Sequence, residues 1–86
     1  MSPQEIQELL QTELAVQEVH VQADGSHYQV IVVSEQFADM SRVKQQQFVY
    51  GPLNEHIKSG ALHAVTIKAY TPDQWERQKK LVMPGA

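Results

Sequence analysis

The run Tyr28-Gln29-Val30-Ile31-Val32-Val33 constrains this chain more than any other stretch. It is rich in β-branched residues and apolar on both faces. It therefore reads as a central strand, covered on each side or flanked by neighbours. Before it, Val19-His20-Val21-Gln22-Ala23 alternates apolar and polar residues, as a strand with one wet face does. Asp24-Gly25 between the two is a turn signal, because glycine tolerates positive φ. So short a connection makes the first two strands an antiparallel hairpin. Leu62 to Tyr70 alternates again. His63, Val65, Ile67 and Ala69 point one way, and Ala64, Thr66, Lys68 and Tyr70 the other. This third strand is reached through a helix, so it can lie parallel to the second by a right-handed crossover.

The helices announce themselves by their ends. Ser2-Pro3-Gln4-Glu5 is a capping box with proline at the first helical position, and Ile6, Leu9, Leu10 and Leu14 follow on one face. Ser34 to Met40 reads as a connector with one helical turn around Phe37. Asp39 or Ser41 can cap a helix running to about Lys58, with Val43, Tyr50, Leu53 and Ile57 inward. Gly51-Pro52 inside it predicts a kink or two short helices. Lys58 suits the C-terminal end, and Gly60 is a natural left-handed stop. Thr71-Pro72-Asp73-Gln74 repeats the capping logic, with Tyr70 and Trp75 spaced as a hydrophobic staple. That last helix is expected to reach about Lys80, and residues 81–86 to form a flexible C-terminal tail. The expectation is one small α/β domain over residues 1–80, ordered α-β-β-α-β-α. Its three-stranded mixed sheet would carry helices on one face.

At 86 residues the chain buries only roughly 60–65% of the surface its unfolded form exposes, so caps and a continuous sheet face matter to it. Seven basic against ten acidic residues, a net charge of −3, weigh against nucleic acid as the main partner. The lack of cysteine excludes a disulfide framework and a self-contained thiolate metal site. Met1 to Glu5 has neither the basic nor the apolar region of a signal peptide, and the longest apolar run, Val30 to Val33, is far too short to span a membrane. A soluble cytoplasmic protein is the expectation.

The sharpest chemical clue is a pair of histidines. His27 and His63 each stand at the start of a strand. If those strands are parallel neighbours, about 4.8 Å apart, the two imidazoles share one end of the sheet. Neutral imidazole is a good ligand for zinc, copper and iron. Two ligands do not complete a structural zinc site, so the rest must come from another molecule. A shared iron–sulfur cluster meets that condition, since histidine can replace cysteine on one iron. Taken singly, His27 in a turn is more often a solvated polar residue, and His63 beside Val65 a hydrogen-bonded rim residue. His20 and His56 read as solvent-facing. No phosphate loop, nucleophile elbow or metalloprotease pair is present, and Asp24, Ser26 and His27 are too close in sequence for a catalytic triad. A non-enzyme is expected. Arg42 and Lys44, with Arg77, Lys79 and Lys80, could meet phosphates, although basic residues at helix ends are more often solvated.

Taken together, several of these stretches carry a family likeness. They are His20-Val21, Asp24-Gly25-Ser26-His27-Tyr28, Val32-Val33-Ser34 with Phe37, and Ser41-Arg42-Val43. Ser59-Gly60-Ala61-Leu62-His63-Ala64 and Tyr70-Thr71-Pro72-Asp73-Gln74-Trp75 complete the set. Over about Ile6 to Trp75 the chain resembles BolA proteins, most of all their bacterial YrbA (IbaG)-like subgroup. That resemblance implies a fold similar to class II KH domains. It also implies a monothiol glutaredoxin of the Cys-Gly-Phe-Ser type as partner. A [2Fe–2S] cluster would be shared with that glutaredoxin and glutathione, and the isolated apo chain, expected to be a monomer, would carry none. His63 matches the family's histidine ligand, and His27 matches the ligand contributed by the hairpin loop. Relatives are linked to stress responses, and some are proposed transcriptional regulators. Duplex DNA bound through Arg42 and Lys44, on the helix-turn-helix-like segment Phe37 to Tyr50, is therefore the alternative reading. Two departures count against it. Gln45-Gln46-Gln47 stands where many relatives carry Arg-His-Arg, and the GxxG clamp of KH domains is absent.

Overall fold

The computed structural model describes residues 1–82. Helix α1 (Pro3–Glu13) begins as its sequence predicts. Ser2 Oγ accepts from the Glu5 N–H at 3.1 Å, and the Glu5 carboxylate accepts from the Ser2 N–H at 3.0 Å. Two donors that the first helical turn leaves unpaired are thereby satisfied. Strands β1 (Glu18–Asp24) and β2 (His27–Val33) pair antiparallel from Asp24↔His27 to Glu18↔Val33. Their turn is Gly25-Ser26, one residue later than expected. Gly25 has φ 64°, and among the described residues no non-glycine has positive φ, as suits a turn with glycine at its first central position.

Strand β3 (Ala64–Tyr70) pairs with β2 in parallel, giving the sheet order β1-β2-β3. Alternation then sorts the core. Val30, Val32, Val19 and Ile67 face α1 and α2 (Arg42–Lys58), where Ile6, Leu10, Leu14, Val49 and Leu53 complete the main core. Phe37, in a 3-10 turn over Glu35–Asp39, packs edge-on to Phe48 and closes this core at one end. Ile31 and Val33 face the other way, against Trp75 of helix α3 (Pro72–Val82) and Tyr70. The expectation of helices on one face thus holds for α1 and α2 and fails for α3. The reason lies in β2, whose second face is also apolar and must be covered. Tyr70 points to that second face and packs at a tilt against Trp75, ring centroids 5.6 Å apart, so the staple draws α3 onto Ile31 and Val33. The cap is a full box: Gln74 N–H donates to Thr71 Oγ1, and Thr71 N–H to Gln74 Oε1. The helix continues two residues past Lys80, and residues 83–86 of the expected tail lie outside the described residues.

Two expectations about α2 also change. It runs unbroken through Pro52, although proline leaves the Phe48 carbonyl without its usual donor. Tertiary contacts hold it, since Val49 and Leu53 on either side of the Gly51-Pro52 step are fully buried. Val43, expected inward, is 65% exposed, and Val49 takes its place in the core. Ser41, not Asp39, is the cap, accepting from the Lys44 N–H. At the far end Gly60 (φ 86°) turns the chain, and the Leu62 N–H donates to the His56 carbonyl. Leu62 is buried there as a plug, which is why β3 starts at Ala64 rather than at Leu62.

Candidate functional site

The parallel register sets His27 opposite Ala64, the first residues of β2 and β3. His63 immediately precedes Ala64, so both histidines emerge at the same end of the sheet, and both are exposed. His27 is held by a residue far away in sequence: its Nε2 lies 2.7 Å from Thr66 Oγ1. His27 and Thr66 lie on the sheet face that α3 covers further along, two residues apart in register. In the tautomer whose Nε2–H donates to Oγ1, the free lone pair lies on Nδ1. Partners of this kind fix the orientation and tautomer of ligand histidines.

Among the described residues, no group of three or more His, Asp or Glu side chains is arranged to hold a metal ion. A metal at the His27–His63 edge would therefore take further donors from outside the chain. Two exposed imidazoles at one end of the sheet fit such a shared site, and they offer nothing for a closed tetrahedral one.

The other two histidines do different work from the solvated role expected of them. His20 is half-buried. Its ring stacks on Trp75 at 5.1 Å, and its Nε2 lies 3.0 Å from Glu18 Oε1. The same apolar requirement that brought α3 to this face therefore covers His20. His56 is half-buried in a hollow beside Met1, Glu5, Glu8 and Leu9. His20 stands away from the His27–His63 edge, opposite Ile31 in the β1–β2 register.

Comparison with known proteins agrees with this architecture. The model of the BolA-like protein family matches residues 10–74. This chain belongs to the BolA-like family. It is 59% identical over 81 residues to the acid stress protein IbaG of Escherichia coli (strain K12), covering 94% of this chain and 96% of that protein. Among solved structures, a bolA protein homologue from Coxiella burnetii superposes with a TM-score of 0.77 at 29% identity, covering 90% and 99% of the two chains. BolA1 from Arabidopsis thaliana superposes with a TM-score of 0.71 at 33% identity, covering 84% and 93%.

Within this BolA-like fold the two cations of the alternative reading part company. Arg42 lines a groove along β3, beside Ala69 and Arg77, whereas Lys44 lines a separate hollow with Asp39, Met40 and Gln47. Residues two apart on a helix do not share a face. The glutamine run has structural work that sequence reasoning missed. Gln45 donates through Nε2 to the carbonyls of Phe37 and Met40, and Gln46 donates to the Ile67 carbonyl at 3.0 Å. Tyr50 donates likewise to the Val65 carbonyl at 3.3 Å. Both β3 carbonyls lie on its outer edge, where among the described residues no further strand pairs. The side chains of α2 thus satisfy part of an edge that would otherwise invite pairing. Only the amphipathic spacing of Gln46 and Tyr50 on α2 could have signalled this.

Proposed function

We propose that this chain is a non-enzymatic BolA-like module that partners a monothiol glutaredoxin of the Cys-Gly-Phe-Ser type. It would ligate one side of a shared [2Fe–2S] cluster through His63 and His27, in iron–sulfur trafficking or sensing during stress. What carries the reading is the β2–β3 register, with His27 opposite Ala64 and His63 one residue before it. Exposed imidazoles at one strand end, short of a complete ligand set, suit a cluster whose remaining ligands sit on another protein. The name of the Escherichia coli relative, an acid stress protein, supports the stress-related part. The cluster is cargo passing between two proteins. This chain's part is to present lone pairs, with Thr66 steadying one ring.

Titration of the cluster-loaded glutaredoxin with this protein, followed by visible circular dichroism, tests the reading. The spectrum should change saturably, His63→Ala should remove the change, and His27→Ala should weaken or reshape it less severely. A spectrum unaffected by either substitution would reject the proposal.

A further inference from the structure

The outer edge of β3 is only half satisfied. The carbonyls of Val65 and Ile67 point outward to Tyr50 and Gln46, while the Tyr70 carbonyl points inward, accepting from the Ser34 N–H at 2.9 Å. Strand alternation then sends the N–H groups of Ile67 and Ala69 and the carbonyl of Ala69 outward. No partner meets these three among the described residues. They open onto two adjoining hollows that form one groove between the start of α2 and α3. Arg42, Lys68 and Arg77 line it, with Gln45, Gln74 and Gln78. Among the described residues that line it none is acidic, although acids outnumber bases ten to seven in the chain. Asp73 lies 3.8 Å from Arg77 in an exposed pair that contributes little.

We infer that this groove takes an extended acidic peptide segment of a partner protein, added as a fourth strand along Ile67 to Tyr70. The free N–H and C=O groups supply the backbone ladder that such recognition uses. The three cations supply charge complementarity, and the glutamine amides can meet a peptide backbone on either side. A strand edge with only three cations, in a chain of net charge −3, favours peptide over nucleic acid. The site is separate from the histidines, since Lys68 lies about 13 Å along the strand from Ala64 at a rise of about 3.3 Å per residue. It does not rest on the cluster reading.

The test is an amide-resolved NMR titration of the isotope-labelled protein at low ionic strength. The probe is a short blocked peptide alternating glutamate and valine. Saturable shifts centred on the Ile67 and Ala69 amides are expected, together with slowed exchange of those two protons. Arg42 and Arg77 are both exposed, so Arg42→Glu with Arg77→Glu should leave the fold intact while weakening binding by about tenfold or more. A lysine–valine peptide should recover affinity for that double variant. N-methylation of alternate peptide amides should abolish binding. No saturable shift, shifts elsewhere, or equal binding by the N-methylated peptide would overturn the inference. So would a duplex oligonucleotide that binds these same amides more tightly than the peptide.

Discussion

At the His27 end of the β2–β3 pair the second sheet face is bare, whereas at the Val33 end Trp75 covers it. Both ends belong to the same two strands. One presents His27, Gln29 and Thr66, exposed or half-buried, and the other buries Ile31 and Val33 completely. The closed end adds a second, smaller core to the one under α1 and α2, while the open end carries exposed polar side chains at little cost. A short α3, anchored by one indole, is what divides the strands into a buried half and an exposed polar half.

The largest expected effect comes from breaking the closed end. Trp75 is 3% exposed and contacts His20, Tyr70, Ile31 and Val33. Trp75→Ala should cost about 3–5 kcal/mol in urea unfolding, as loss of a large buried aromatic does. A loss below about 1 kcal/mol would show that the second face is not a working core.

Next in size is the outer edge of β3. Gln46→Ala leaves the Ile67 carbonyl without its donor and should cost about 1 kcal/mol. The same unfolding measurement reads it, and a neutral result would mean that water replaces the amide without loss.

At the open end the expectation reverses. His63→Ala and His27→Ala should each alter stability by no more than about 0.5 kcal/mol, as exposed substitutions do. Thr66→Val should be similarly mild, yet it should shift the tautomer balance of His27 in nitrogen-detected NMR, because Nε2 loses its partner. Should these three variants prove as destabilising as Trp75→Ala, the division between the two ends would not stand.

The smallest effect lies at α1. The Ser2 backbone N–H, and after it the Ser2 side chain, hold the exposed Glu5 carboxyl below its ordinary value of 4.5. A carboxyl lowered in the folded state stabilises above its unfolded value, and that contribution is lost as pH falls through the folded one. The stability difference between the native chain and Glu5→Ala should therefore be flat near neutrality and shrink in acid below about pH 4.5. A difference that grows in acid would contradict the cap.

Local signals made most elements legible. Ser2 with Glu5 and Thr71 with Gln74 start their helices through contacts three residues away, and a glycine at the hairpin leaves β1 and β2 no pairing but antiparallel. The β-branched run of β2 required a central position, and a helical crossover allowed the parallel β3 that brings His27 and His63 to one end. Inside α2, proline suggested a break because a local reading counts only the lost hydrogen bond. The burial of Val49 and Leu53 outweighs it.

The amino-acid order by itself therefore determined which segments are helix or strand and that β1 and β2 form an antiparallel hairpin, and it allowed the parallel β3 that gives the two histidines a shared end. Only the tertiary structure decided that α3 crosses to the second face, that Thr66 steadies His27 from 39 residues away, and that Gln46 and Tyr50 close part of the β3 edge. The physical reason is range. Caps, turns and alternation act over a few residues, while the cover of an apolar face and the pairing of distant polar groups depend on where the whole chain returns.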